Sequence, residues 1–361
     1  MFRKLFAWLQ KYERHLSVLA TVAGFGIDQI FFNRVDLIQT QVLLAAYATI
    51  TFVSILAYHR IEERALAGKP RPRWRAVLPI ATQFMLGGFW SAFFFFYGHS
   101  SVLPASWPFL LLIVFMLIGN EYFAKYHDRL VFASVLYFFA LYSYAIFEVP
   151  LVVGKIGTPV FLLSGLAAVA VFAVFTALLR FLGRNRFRQD IWRIRAGAAA
   201  VLVLMNGFYF ANILPPLPLS AKASGIYHAV WRVPGDYLAT TEDEPWTVQY
   251  LGFPPTLHVV AGESLYAYSE VFAPTALTTT VVHEWQWYDP AAKRWMTKAS
   301  VSYPIVGGRD GGYRGYSAVL MQEPGQWRVN VKTIDGRLIA RLPFTVDQVA
   351  LPPPESTITL P

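Results

Sequence analysis

The sequence predicts two unlike halves: an α-helical membrane bundle of about seven transmembrane helices, then a small all-β, sandwich-like extracytoplasmic domain. Three observations carry this. The 361-residue chain is 55% hydrophobic and only 15% charged, against about 25% charged in a soluble domain, more apolar surface than one core hides. Apolar stretches long enough to cross a hydrocarbon layer of about 30 Å crowd into residues 16–214. Beyond residue 225 the apolar residues alternate with a period of two, the pattern of half-buried strands.

The first 15 residues are basic and amphipathic and read as a cytoplasmic lead-in. Seven spans follow, at 16–33, 37–58, 76–97, 107–124, 130–147, 159–180 and 196–214. Of the 31 lysines and arginines, 18 fall in four short segments: before the first span, at 59–75, at Lys125 and Arg129, and at 180–195. Every second loop is therefore basic, and the other loops hold only Arg34 and Lys155. Positive loops stay inside, so the expected topology has a cytoplasmic N-terminus and a seventh helix exiting on the far side. The formal net charge of +9 is thus a topology signal, not a nucleic-acid footprint. Trp74, Trp107 and Trp192 lie at or beside expected span ends, where an amphipathic ring prefers the headgroup region, and Trp90 lies well inside one.

Ionisable and strongly polar residues inside spans are the functional candidates of the membrane half. They are Asp28 in the first span and Asn120 with Glu121 in the fourth. Helix rise places Asp28 near the outer end of its span and Glu121 near the inner end, too far apart in depth for a shared ion site. Lys125, four residues after Glu121, is a favourable helical partner for it. Glu62 and Glu63 lack the arginine needed at position 67 for an intramembrane protease pattern, and Ser164 has no suitably spaced histidine within a span.

Prolines end the seventh span, and residues 215–225 read as a linker. A β-domain is expected over 226–348, with a Pro-rich tail at 349–361. In GQWRVNVKT, Trp327, Val329 and Val331 share one face, and Arg328, Asn330 and Lys332 share the other. Asp335-Gly336 then signals a hairpin into LIARLPFTV, where Pro343 marks an edge or a bend.

The stretch VVHEWQWYDPAAKRW starts like a zinc-protease HExxH helix, but position 287 is Trp rather than His. The threonines and valines before it favour a strand, which sends His283 and Glu284 to opposite faces. No metal site is expected there. Without cysteines, thiolate chemistry and disulfides are excluded as well. Six of the 11 tryptophans follow residue 230. Trp285 and Trp327 are expected in the core, with Tyr313 and Tyr316 more exposed. The ligand-binding candidates are Tyr313, Arg314 and Tyr316 in a glycine-rich segment, together with His283 and Trp287.

The run from Val281 to Trp295 and the closing GQWRVNVKTIDGRLIARLPFTV resemble a short bacterial domain of unknown function over about residues 265–346. That domain carries a His/Trp-containing strand and a G-x-W-x-V-x-V…DG…F-x-V hairpin, and typically follows several membrane spans. GFGIDQIFFNRVD and GNEYF look like the membrane half of such proteins. The resemblance implies a bacterial membrane protein with a β-rich exported domain, and brings no activity, cofactor or catalytic residue with it.

The functional expectation is a non-catalytic envelope protein of the bacterial inner membrane. Its β-domain would bind glycan, peptide or a partner protein, and the lipid bilayer is its other partner. No catalytic residue, cofactor or nucleic-acid partner is expected. The alternatives are a transporter or lipid-handling bundle with an accessory domain, and an exported hydrolase or transferase.

Overall fold

A computed structural model describes residues 37–99, 103–122, 129–216, 218–243, 248, 253–274, 277–307 and 312–360. The chain divides into a mainly helical and a mainly β unit.

The helical unit holds α1 (Ile38–Leu66), a 3₁₀ turn (Arg73–Ala76), α2 (Val77–His99), α3 (Leu103–Tyr122), α4 (Leu130–Val153), α5 (Thr158–Leu182) and α6 (Arg184–Phe210). Five of these six helices are long and apolar enough to cross a membrane; the apolar run of α3, Ser106–Asn120, is shorter. Six of the seven expected spans fall on these helices, and the first, with Asp28, lies outside the described residues. The basic stretch expected as a loop over 180–195 is helical except at Gly183, which alone separates α5 from α6. Arginine is a good helix former, so the positive charge extends α6 instead of unwinding it.

α4 is the hub of the bundle. Its apolar window is 78% buried, against 17% for that of α6. Tyr137 and Phe138 meet Phe175 and Phe172 of α5 at 5.1 and 4.7 Å between ring centres. Phe139 and Phe147 meet Trp90 and Phe93 of α2 at 5.3 and 5.6 Å. Tyr137 also reaches Phe52 of α1. The Tyr142 hydroxyl accepts a hydrogen bond from Asn206 Nδ2 of α6 at 3.2 Å. Trp74, Trp107 and Trp192 are exposed and Trp90 is buried.

The β unit contains eleven strands among the described residues: β1 (Ser220–Tyr227), β2 (Ala229–Arg232), β3 (Tyr237–Glu242), β4 (Thr256–Val259), β5 (Ser264–Phe272), β6 (Thr278–Asp289), β7 (Arg294–Val306), β8 (Tyr313–Leu320), β9 (Gly325–Thr333), β10 (Leu338–Gln348) and β11 (Glu355–Leu360). They form three sheets, ordered β1-β5-β8, β4-β10-β9-β6-β7 and β11-β3-β2. Three layers replace the expected two-sheet sandwich, because β5 is buried on both faces. Leu265 and Ala267 pack with Trp285, Trp327, Val329 and Phe344 of the five-stranded sheet. Tyr268 packs with Val230, Ala239 and Leu360 of the third sheet. β1 starts inside the expected linker, and β11 lies in the expected tail. Each supplies a strand that finds its partner far along the chain, which local composition does not reveal.

The local readings that rest on period two hold. Trp285 and Trp327 are fully buried, and Trp327, Val329 and Val331 face the core. Gly336 closes the β9–β10 hairpin with φ +85°, a conformation that favours glycine. Pro343 lies opposite Arg328 of β9, ahead of Thr345, where β4 begins to pair with β10; there the missing N–H is tolerated. Asp289 turns β6 into β7 by accepting hydrogen bonds from the backbone N–H groups of Ala291 and Ala292 at 2.9 and 3.1 Å.

Candidate functional site

The glycine-rich approach to β8 delivers Tyr313, Arg314 and Tyr316 to the middle sheet. A strand alternates faces, so Tyr313 cannot share a face with Arg314 or Tyr316. The Tyr313 ring packs toward the core cluster of Leu219, Val271 and Ile305. Arg314 and Tyr316 project from the other face, opposite Glu270 and Tyr268 of β5. The three neighbours therefore do not make one aromatic platform. Arg314 and Tyr316 instead join residues from the β2–β3 turn.

Arg314 Nη1 donates to the Gly235 carbonyl at 3.3 Å and lies 3.7 Å from Asp236 Oδ1. A solvent-open cleft of about 290 Å³ forms there, lined by Arg232, Gly235, Asp236, Tyr237, Gly312, Tyr313 and Arg314. Tyr237 extends it to Tyr316, 6.2 Å between ring centres, and Tyr316 in turn lies 6.2 Å from Tyr266. Tyr316 is 41% exposed. Guanidinium donors, a carboxylate and accessible phenol rings suit a polyhydroxylated ligand that is both hydrogen-bonded and stacked upon. Sequence reasoning missed Arg232, Tyr237 and Tyr266. The turn signal Pro234-Gly235 between Arg232 and Tyr237 was visible; its proximity to β8 was not.

The other candidates lie elsewhere. His283 is fully buried. Its Nε2 is 2.8 Å from Ser269 Oγ and its Nδ1 2.9 Å from Ser317 Oγ. Trp285 Nε1 donates to Ser317 at 3.0 Å, and the Tyr303 hydroxyl sits 2.7 Å from Ser269. Burial pushes the His283 imidazole down to about 4, so the ring is neutral at ordinary pH. Ser269 and Ser317 are buried too, so this serine–histidine contact is a closed polar network inside the core. Trp287 is anchored by its Nε1 to the Pro324 carbonyl at 3.0 Å and covered by the Lys298 ammonium at 4.8 Å. In the helical unit, Asn120 Nδ2 donates to the Gln83 carbonyl at 3.0 Å, joining α3 to α2. Glu121 lies in the last turn of α3, and its side chain lies outside the described residues.

A second titratable cluster was not foreseen. Glu242, buried at the end of β3, lies 2.8 Å from His228 Nε2 and 2.7 Å from His258 Nδ1. Glu355 lies 3.5 Å from His228 Nδ1. Burial acts to raise the Glu242 carboxyl, but the hydrogen bonds from His258 and His228 outweigh it and hold the group below its usual value. Among the described residues, no group of three or more His, Cys, Asp or Glu is arranged to hold a metal ion.

The geometry defines a β-domain with an open polar-aromatic cleft, carried on the same chain as a bundle of apolar helices. By sequence, a family model described as a protein of unknown function (DUF2914) matches residues 278–346, from β6 through the β9–β10 hairpin. No curated protein matches the chain. Among solved structures, a β-glucosidase from Listeria innocua in complex with glucose is 17% identical, with a TM-score of 0.21 over 32% of this chain and 16% of that one. The Pseudomonas fluorescens alkylpurine DNA glycosylase AlkC is 11% identical, with a TM-score of 0.22 over 88% of this chain and 98% of that one. Likenesses this distant carry no argument about fold or activity.

Proposed function

We propose that the chain is a non-catalytic protein of the bacterial inner membrane that displays its β-domain outside the cytoplasm to bind a saccharide of the envelope. In this reading residues 16–33 form a first span ahead of the six described helices, and the N-terminus is cytoplasmic. The basic segments 59–75 and 180–195 support that orientation. The observation that carries the binding role is Arg314, held at the Gly235 carbonyl beside Tyr237 and the exposed Tyr316, on the wall of an open cleft. The test is a glycan array probed with the purified full chain in detergent. Saccharide signals that vanish in both Arg314→Gln and Tyr316→Ala are expected; a wild-type chain with no signal removes the reading.

A second reading, a transporter or lipid-handling bundle, draws on the hydroxyls of Thr51, Ser91, Ser134 and Ser143 and on Asn120 Oδ1. All are buried in the helical unit without a hydrogen-bond partner among the described residues. Polar groups of this kind line pathways in membrane proteins. Crosslinking in native membranes with and without residues 221–361 separates the two. Partners lost on truncation favour the β-domain, and partners retained favour the bundle.

A further inference from the structure

The outer face of the five-stranded sheet, away from the cleft, carries a set of charges that neutralising each other does not explain. Three cations, Arg328, Lys332 and Arg341, cluster on that face around one carboxylate, Glu284; the next carboxylate of β10 on the face, Asp347, lies six residues beyond Arg341. Lys332 Nζ donates to Glu284 Oε1 at 2.6 Å, and Asn330 Nδ2 approaches Glu284 Oε2 at 3.2 Å, so this anion is already engaged. Its charge also acts on both arginines, and the cluster of three cations and this carboxylate keeps a surplus of two positive charges.

Neither arginine waves freely in solvent. Arg328 Nε donates to Gln286 Oε1 at 2.7 Å, and Arg341 Nε donates to Asn330 Oδ1 at 2.8 Å. Asn330 Nδ2 also donates to Gln286 Oε1 at 3.1 Å, so a chain of two amides fixes both guanidiniums. The Trp295 ring lies 4.1 Å from the Arg328 guanidinium carbon and holds its plane. Arg341 stands opposite Asn330, and Arg328 lies two residues before it on the same face, so the two are diagonal neighbours across β9 and β10. Burial, then the charge of Arg341, lowers the affinity of Arg328 for its proton, against the Glu284 carboxylate, which acts the other way. Both side chains use Nε alone for internal bonds. Among the described residues, the terminal Nη nitrogens of both have no hydrogen-bond partner.

We infer that Arg328 and Arg341 form a binding site for a phosphate monoester, whose dianion matches the surplus charge and accepts from both guanidinium edges. Planar forks match phosphate oxygens in pairs, which a point charge does not. Trp295, beside Arg328, offers an apolar surface to the group that carries the phosphate. This site is separate from the Arg314–Tyr316 cleft, and either can fail without the other.

The test uses the purified full chain in detergent, titrated by calorimetry with inorganic phosphate and with glucose 1-phosphate, and by flotation with vesicles containing phosphatidic acid. Saturable binding of at least one probe is expected. A stronger response to the vesicles than to glucose 1-phosphate assigns the group to a lipid headgroup, and the reverse assigns it to a sugar. Arg328→Gln and Arg341→Gln are each expected to weaken binding about tenfold or more. Arg232→Gln, an equal charge change in the β2–β3 cleft, is expected to leave it unaltered. Arg341→Lys keeps the charge and removes the fork, and is expected to weaken binding while preserving the far-UV circular dichroism. Binding of none of the probes by the wild type, or full affinity in Arg341→Lys, overturns the assignment.

Discussion

Glu242 takes both hydrogen bonds that His258 offers: its Oε2 lies 2.7 Å from the ring Nδ1, and its Oε1 2.7 Å from the backbone nitrogen. His258 belongs to β4 and Glu242 to β3, so one carboxylate ties the five-stranded sheet to the third sheet. Two consequences are measurable. Glu242→Gln keeps the shape and removes the charge, and the β unit is expected to lose about 2 kcal/mol in urea denaturation. In the wild type the folded carboxyl titrates below its unfolded value. Its contribution is therefore complete above about pH 4.3 and disappears as the pH falls through the folded value.

His283 acts in a different window. Its folded value is depressed to about 4 from 6.5. The unfolded chain binds a proton between those values that the folded chain refuses, so stability is full above pH 6.5 and falls toward pH 4. The loss is expected to reach about 3 kcal/mol. His283→Asn lowers stability at pH 7 but flattens the slope between pH 6.5 and 4.5, as read from denaturation midpoints followed by tryptophan fluorescence. An unchanged slope in the variant would show that His283 does not titrate in this way.

Trp285→Ala and Trp327→Ala remove fully buried rings, and each is expected to cost about 3–5 kcal/mol. Tyr316→Ala removes a partly exposed ring and is expected to cost less than about 1 kcal/mol. Thermal melts of the three variants make the comparison. If Trp285→Ala melts like the wild type, the ring is not the core residue its burial indicates.

The proposed orientation is checked with reporter fusions at Gly68, after α1, and at Gly336, in the β9–β10 turn. Opposite sides are expected, and the same side removes the topology.

What the sequence made legible was local. The β9 alternation, the Asp335-Gly336 turn and the opposed directions of His283 and Glu284 all follow from a period of two that neighbouring residues reveal. Glu284 indeed meets Lys332 on one face while His283 is enclosed on the other. The candidate site was only partly legible for the same reason. Tyr313, Arg314 and Tyr316 were found as a cluster in the chain, yet the strand separates Tyr313 from the other two, and Tyr237 arrives from a turn far upstream. His228, Glu242 and His258 are spaced widely, and no short motif announces a pairing that joins the β1–β2 link, β3 and β4. The charged face of β9 was read correctly as a face, but the Arg341 that completes it comes from the returning strand.

The parallel pairing of β4 with β10 sets Thr256 beside Thr345. Contacts closed over about 90 residues raise the contact order and slow folding, because the loop entropy is spent before the contact forms. Until β10 arrives, Leu257 and Val259 lack Phe344 and Val346, which share their core cluster. The stage before that pairing closes leaves β4, whose one neighbour in its sheet is β10, as an open strand edge. Such a stage invites aggregation, so the yield of this domain will depend on how fast its last strands are delivered and on holdases present where it folds.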